Sequence, residues 1–373
     1  KKDFLSLGVA SLFLATSCTS TSAPGSQSAG ADTASTAQPE AKTITILHTN
    51  DMHGSYMPFR TVEGNSTAQT GDAGRDTLIT FGKSAMIGGF AHMASAIKQI
   101  RSEKGADRVL LVDGGDTFGD DQLANITKGE AMIRLMNQVG YDLMTLGNHD
   151  FDYGLERTRE LQQIANFPML AANIIDEQTQ QPLFGKPYII KEKNGVKVAI
   201  LSVGYRNTNK TGNPNNMKGL RFLVGQEEVK KYIPELRKKA DIIVVVSHEG
   251  TAVDKLMAKE VEGIDLLVGA HSHDILSPPS KIGQTYVVQA MSDGAVLGET
   301  ELQITDKKLT GIKVKYHELW HDAYTPDEEV QRLIDEMRKP HLAKLQEKVG
   351  ESKDEIGRQY KSESPFDKLV GNM

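Results

Sequence analysis

The chain has 373 residues, a formal net charge of -6 and one cysteine. The negative charge gives no electrostatic case for nucleic-acid binding, and the single cysteine excludes both a disulfide within the chain and a zinc site made of several thiolates. A length above that of one average domain suits a large α/β unit with an appendage.

The first residues have the parts of a secretory signal. Two lysines precede an apolar stretch over residues 4–14, which is too short to span a bilayer as a stable helix, and small residues lead up to Cys18. This cysteine resembles a bacterial lipoprotein processing site, where the thiol becomes the lipidated N-terminus, although Ala15 stands where such sites usually carry Leu. Residues 1–18 are therefore expected to be a lipoprotein-type signal peptide, with an ordinary signal peptide as the alternative.

Residues 19–42 consist largely of Ser, Thr, Ala, Gly, Pro and Gln and show no apolar periodicity. Such a segment cannot bury enough surface to offset its ordering entropy, so we expect a flexible linker. These features together predict an exported protein that a lipid on Cys18 anchors to a membrane, facing the periplasm or the cell exterior.

The chain from residue 43 alternates apolar runs of strand length with amphipathic helical stripes at 90–100 and 132–139. Continuous apolar runs are typical of strands buried on both faces. After residue 283 three runs follow without helices and are predicted to be antiparallel strands. The sequence thus predicts an α/β core with mixed sheets, built from two packed sheets. The predicted strands are 43–47, 109–112, 143–146, 169–172, 196–203, 242–246, 264–268, 286–290, 297–304 and 312–319.

Side chains that can bind metals follow five of these strands. Ligand sites in α/β sheets form at the carboxyl ends of strands, so these loops can converge on one point. In the segment Asp51-Met52-His53, alternation along an extended backbone points both ligand types the same way. The candidate ligands are Asp51, His53, Asp116, Asn148, His248, His271 and His273.

Carboxylate, amide oxygen and imidazole are ligands for hard or borderline divalent metals, and thiolates are missing from this set. Seven ligands suit two ions better than one, and a bridging Asp116 gives each ion four protein ligands. Two ions roughly 3.5 to 4 Å apart can clamp a phosphate and activate water for in-line attack. The sequence therefore predicts two divalent ions, of the kind of zinc, manganese or magnesium, as cofactors.

In combination these motifs resemble the five motifs of calcineurin-like metallophosphoesterases. Residues 45–51, 148–154 and 168–174 resemble, more narrowly, the 5'-nucleotidase and UDP-sugar hydrolase family. The resemblance implies a four-layer α/β/β/α metallophosphoesterase fold over residues 43–325. Residues 326–373 are expected to be a connecting helix and the truncated start of a C-terminal substrate-binding domain.

The resemblance also implies a role for each site residue. His149 is expected to contact the transferring phosphoryl group, with Asp152 orienting its ring, and Asn148 to touch both metal and substrate. Some relatives carry Gln where this chain has His273. The implied ligand sets are Asp51, His53, Asp116 and His273 for one ion, and Asp116, Asn148, His248 and His271 for the other.

The function that follows is an exported phosphohydrolase, a 5'-nucleotidase or UDP-sugar hydrolase, with no protein partner expected. A cyclic-nucleotide phosphodiesterase or a thiosulfate-ester hydrolase could use much the same chemistry. A surface lipoprotein that keeps metals only for stability is the non-enzymatic alternative, but it has no need of His149 and Asp152.

Three nearby residues have simpler interpretations. Glu249 is predicted to be a solvated loop carboxylate, because Glu is mostly exposed. His48 is predicted to lie in the core or to support the site without binding metal. Gly147 is predicted to free the backbone for a turn after its strand.

Overall fold

The computed structural model describes residues 41–63, 81–119, 121–348, 350, 351, 353 and 368. The predicted signal peptide with Cys18, nearly all of the predicted linker and most of the chain after residue 348 lie outside the described residues. Within the described ranges, no helix has the length and apolar character needed to cross a bilayer.

The secondary structure follows the predicted alternation and adds short strands between the main elements. The strands are β1 (Lys42–Thr49), β2 (Pro58–Arg60), β3 (Met86–Gly88), β4 (Val109–Asp113), β5 (Leu143–Thr145), β6 (Met169–Leu170), β7 (Ile174–Asp176), β8 (Gln181–Pro182), β9 (Tyr188–Lys193), β10 (Val196–Val203), β11 (Leu220–Phe222), β12 (Ile242–Ser247), β13 (Leu266–Gly269), β14 (Ser280–Ile282), β15 (Thr285–Val288), β16 (Val296–Thr305) and β17 (Lys308–Glu318). The helices are α1 (Phe90–Lys104), α2 (Gln122–Thr127), α3 (Glu130–Val139), α4 (Leu155–Ile164), α5 (Thr208–Thr211), α6 (Gly225–Lys239), α7 (Thr251–Glu260), α8 (Glu328–Arg338) and α9 (Leu342–Leu345).

The first large sheet has six strands in the order β17-β16-β1-β4-β5-β6. Strands β1, β4, β5 and β6 are parallel, whereas β16 runs antiparallel to both β1 and β17. Thr49 at the end of β1 pairs with Asp113 at the end of β4. The carboxyl ends of these two strands therefore lie side by side at one edge of the sheet.

The second large sheet also has six strands, in the order β14-β15-β13-β12-β10-β9. Its four inner strands, β15, β13, β12 and β10, are parallel, and the strands at both edges are antiparallel to their neighbours. The prediction of antiparallel strands after residue 283 is confirmed for β16 and β17. For β15 the prediction is wrong on one side: β15 lies in the second sheet, where it is antiparallel to β14 but parallel to β13.

The two sheets pack face to face and helices cover their outer faces. Ile46 and Val112 of the first sheet lie in one apolar cluster with Ile200 and Val244 of the second. Helices α1, α3, α4 and α8 pack on the first sheet, and α6 and α7 pack on the second. This arrangement is the predicted four-layer α/β/β/α fold with mixed sheets, and it brings the carboxyl ends of β1, β4, β5, β12 and β13 toward one another.

Candidate metal centre

The loops after β1 and β4 continue side by side beyond the sheet. The N–H of Asp51 donates to the carbonyl of Gly115, and the N–H of His53 donates to the carbonyl of Asp116, both at 2.9 Å. These main-chain hydrogen bonds join the two loops at alternate residues. They hold the side chains of Asp51, His53 and Asp116 at the carboxyl ends of β1 and β4.

The loops of the second sheet meet those of the first across the gap between the sheets. His248 Nδ1 lies 2.7 Å from the carbonyl of Gly114, and its Nε2 lies 3.0 Å from Asp116 Oδ2. The N–H of His271 donates to the Asp51 carboxylate at 2.9 Å. A hydrogen bond from Nδ1–H to a carbonyl fixes the tautomer of His248 and leaves Nε2 as a ligand atom.

Six of the seven predicted ligands form two groups of three. In each group the ligand atoms all lie within 4.8 Å of one another. His273 Nε2 lies 3.1 Å from His53 Nε2 and 3.4 Å from Asp51 Oδ1. Two imidazoles and a carboxylate are a donor set that suits a divalent transition metal. The groups are Asp51, His53 and His273, and Asp116, His248 and His271.

The remaining predicted ligand, Asn148, has a buried amide oxygen. Asn148 Oδ1 has no hydrogen-bond partner among the residues that the structure describes, although an unsatisfied buried oxygen costs free energy. A cation at this position would satisfy it. The chemistry of the donor set and this orphaned oxygen both fit the two divalent ions that the fold family implies.

The two carboxylates are favoured in their charged form. Burial is the largest single influence on Asp51 and would raise its pKa, but the His273 and His248 imidazoles together outweigh burial and lower that pKa to about 2. In the same way, burial is outweighed at Asp116 by the combined effect of His248, His53 and His149, which lowers the pKa of Asp116. Both groups are therefore ionised and able to bind a cation at neutral pH.

The ligand residues have unusual backbone conformations. Asp51, His53, Asp116, His271 and His273 have φ angles between 48° and 71°, in the left-handed region that non-glycine residues rarely adopt. Each such conformation costs on the order of 1 to 3 kcal/mol and persists only where the surroundings impose it. Five of the thirteen non-glycine residues with positive φ in the described part of the chain are therefore candidate ligands.

Asp150 imposes part of this geometry. Its carboxylate accepts hydrogen bonds from the N–H groups of Asp116 and Thr117, each at 2.9 Å, and of Gly147 at 2.7 Å. No pattern in the sequence predicts this role for Asp150. The residue is close to Asn148 in the chain, but it binds the loop after β4, which is a contact that only the folded structure shows.

Gly147 has a different function from the predicted one. Its φ angle lies outside the left-handed region, so the turn does not need a glycine for its dihedral angles. A Cβ at this position would lie 2.2 Å from Asp116 Oδ1 and 2.7 Å from His248 Cε1. Glycine is required because the ligands approach the backbone closely.

His149 and Asp152 form a pair beside the two groups. His149 Nδ1 lies 2.8 Å from Asp152 Oδ2, and the N–H of His149 donates to Asp116 Oδ1 at 2.7 Å. The hydrogen bond with Asp152 is the largest influence on His149, and against the opposing effect of burial it raises the pKa of the ring to about 9. A cationic, half-exposed imidazole next to the ligand groups can donate to an anion.

The prediction that Glu249 is solvated is wrong. The residue is 2% exposed, its Oε2 lies 3.4 Å from Arg206 Nε, and burial raises its pKa to about 7.

The ring of Tyr205 lies over His271 with centroids 4.0 Å apart. Tyr205 and Arg206 follow β10, so applying the strand-end argument to a sixth strand would have found both.

His48 is fully buried, in agreement with its predicted place in the core. Neither ring nitrogen has a hydrogen-bond partner among the described residues. The ring of His48 packs against Gly298 in the neighbouring strand β16. A Cβ at position 298 would lie 2.2 Å from His48 Cε1, so only glycine leaves space for the ring.

Comparison with known proteins agrees with this fold. The sequence profile of the calcineurin-like phosphoesterases matches residues 44–274. The 5'-nucleotidase of Vibrio cholerae is 33% identical over 320 residues, which cover 76% of this chain and 53% of the relative. Protein UshA of Yersinia enterocolitica is 31% identical over 297 residues, which cover 71% and 50%.

A solved structure gives the same result. The 5'-nucleotidase precursor of Thermus thermophilus superposes with a TM-score of 0.73 at 25% identity, over 85% of this chain and 62% of the other. The chain spans about half the length of the curated relatives named above. On its profile match, its four-layer fold and its converging motifs, the chain belongs to the calcineurin-like phosphoesterase family.

Proposed function

We propose that residues 43–325 form the catalytic domain of an exported phosphohydrolase that releases phosphate from nucleotides, a 5'-nucleotidase. The similarity to the Vibrio cholerae 5'-nucleotidase and to the Thermus thermophilus 5'-nucleotidase precursor supports this reaction. The predicted signal peptide over residues 1–18 and its Cys18 support export and a lipid anchor, and the proposal includes both.

The single observation that carries the proposal is the position of His149, whose Nδ1 lies 2.8 Å from Asp152 Oδ2 while its main-chain N–H donates to the Asp116 carboxylate. A site that only stores metal needs ligands and no further cation. This imidazole is instead held where it can meet an anion bound at the ligand groups. That is the arrangement that phosphoryl transfer requires, since negative charge must be stabilised as the ester bond breaks.

In this proposal Asp116 would serve both ions, and the other six ligands would be divided as the resemblance implies. When bound, two divalent ions supply Lewis acidity for the hydrolysis of a phosphate ester. His149 contacts the phosphoryl group and either donates a proton to the leaving oxygen or stabilises its charge. Asp152 keeps the ring in one tautomer and orientation by accepting from Nδ1–H.

A panel of substrates tests the proposal. Hydrolysis should be measured after chelation and after adding back manganese, zinc or magnesium. The readouts are phosphate released from a nucleoside monophosphate, UMP formed from a UDP-sugar, monophosphate formed from a 2',3'-cyclic nucleotide, and sulfate released from a thiosulfate ester. We expect the highest kcat/KM for the monophosphate. If the cyclic nucleotide or the thiosulfate ester were preferred, the assignment would move to that reaction on the same scaffold.

A second comparison concerns the nucleoside. In this proposal residues 43–325 bind the phosphate group, so these residues alone should not select the base. AMP and a pyrimidine monophosphate should then have similar kcat/KM values with the chain of 373 residues. A strong preference between them would mean that the catalytic domain builds the base pocket.

A further inference from the structure

A buried glutamine lies behind the loop that carries two of the candidate ligands. Gln289 follows β15 in the chain and is 0% exposed. Its side chain makes hydrogen bonds to three alternate residues of the neighbouring loop, Ala270, Ser272 and Asp274. These three residues bracket His271 and His273, which belong to different ligand groups.

Each atom of the amide has a defined partner. Gln289 Nε2 donates to the carbonyl of Ala270 at 2.9 Å, while Oε1 accepts from the Ser272 hydroxyl at 3.0 Å and from the N–H of Asp274 at 2.5 Å. A flipped amide would set its NH2 against an N–H and its oxygen against a carbonyl. The network therefore permits only one orientation of the side chain.

The network continues away from the loop. The N–H of Thr251, the first residue of α7, donates to Ser272 Oγ at 3.1 Å, and the Thr251 hydroxyl lies 2.9 Å from the same atom. When the Ser272 hydroxyl donates to Gln289, the Thr251 hydroxyl can donate to Ser272. Main-chain bonds add to this: the N–H of Leu276 donates to the carbonyl of Gln289, and that of Met291 donates to the carbonyl of Asp274. The loop is thus bound to a strand and a helix whose positions the core determines.

Such support is needed because the ligand backbone is strained. His271 has φ 71° and His273 has φ 54°, and two left-handed residues in a span of three are costly without compensating bonds. The N–H of His271 also donates to the Asp51 carboxylate, so a displaced loop disturbs a ligand of the first strand as well.

We propose that Gln289 is a positioning residue that holds His271 and His273 in ligand geometry and thereby couples the two metal sites. This inference rests on the two-metal site of the proposed function. One side chain supports a loop that serves both sites, so its loss weakens both together, whereas the loss of a single ligand affects mainly the site to which that ligand belongs.

Metal binding by the apo protein tests this directly. Binding of Mn2+ or Zn2+ should be measured by calorimetry, and the metal-to-protein ratio after dialysis by elemental analysis. Gln289→Leu should weaken both sites roughly 10- to 100-fold, the usual effect of removing a residue that supports metal ligands. Gln289→Glu keeps the acceptor for Ser272 and Asp274 but sets a buried carboxylate oxygen against the carbonyl of Ala270, so it should also weaken both sites.

A matched control separates positioning from general stability. Gln226 in α6 is also buried, and its Oε1 has no described hydrogen-bond partner. Gln226→Leu should leave both metal affinities unchanged, whatever its effect on thermal unfolding. Two ions bound with wild-type affinity by Gln289→Leu, or weakening at one site only, would overturn the inference. A wild-type protein that binds no ions would instead overturn the proposed two-metal site.

Discussion

His149 Nδ1 lies 2.8 Å from Asp152 Oδ2, three residues further along a tight turn that starts in a 3-10 helix. The carboxylate side chain is 36% exposed and the imidazole side chain 38% exposed, so the pair lies at the open side of the buried ligand groups. The pair is therefore accessible to a substrate while its geometry is held by the backbone of the turn.

Because His149 and Asp152 belong to neither ligand group, changes at this pair should affect catalysis without removing the metals. His149→Ala should lower kcat by roughly two orders of magnitude or more, the usual effect of losing a positioned acid or charge stabiliser. Metal content should stay at the wild-type value, because the imidazole belongs to neither ligand group. Asp152→Asn should cause a smaller loss, since it weakens only the orientation of the ring. Wild-type turnover in His149→Ala would remove the residue from the mechanism.

Asp116 is expected to determine whether two ions bind at all. Asp116→Ala should abolish binding of both ions and all hydrolysis, because in the proposed site this carboxylate would serve both ions. Its Oδ2 lies 3.0 Å from His248 Nε2. Elemental analysis of the dialysed variant measures this. Asp107→Ala, at an exposed aspartate, is the control and should bind as the wild type does. One ion retained in Asp116→Ala would argue against a bridging carboxylate.

Gly147 should tolerate no side chain. In Gly147→Ala the new Cβ would contact Asp116 and His248 at distances well below van der Waals separation, so the ligands must shift. We expect metal affinity to fall at least roughly 10-fold and the free energy of unfolding by about 1 to 3 kcal/mol, as for other overpacked sites. Gly82→Ala is the control, because a Cβ there meets nothing within 4 Å. Equal metal affinity in the two variants would contradict the close-approach argument.

His48 should make stability depend on pH. Burial lowers its pKa from 6.5 to about 3, so the neutral ring is favoured in the folded state. The unfolded state takes up the proton first, and the stability that this residue contributes above pH 6.5 is lost as pH falls from 6.5 toward 3. The slope amounts to about 1.4 kcal/mol per pH unit for one proton.

His48→Leu should remove that slope. At pH 7.5 the variant should be about as stable as the wild type or more stable, because the described residues include no hydrogen-bond partner for the ring. Urea unfolding of the apo protein at pH 7.5, 5.5 and 4.5 measures both effects. Parallel pH profiles for the two proteins would show that another group causes the dependence.

The sequence by itself determined the class of fold and singled out the candidate ligands. Continuous apolar runs predicted buried strands, and the polar residues at five strand ends predicted where a site would form, because parallel strands bring their carboxyl ends to one edge. The candidate ligands that it singled out include both groups of three in the structure. Periodicity and strand-end position are local properties, so they can be recognised without knowing which distant segments meet.

Only the tertiary structure decided how the ligands are held. Gln289 reaches Ala270 across 19 positions, and His248 meets Gly114 across 134, so no local pattern records either contact. The burial of Glu249 against Arg206 depends on packing between loops of different strands. The need for glycine at 147 and the left-handed ligand conformations likewise arise from close approach between distant segments, which the folded core alone brings together.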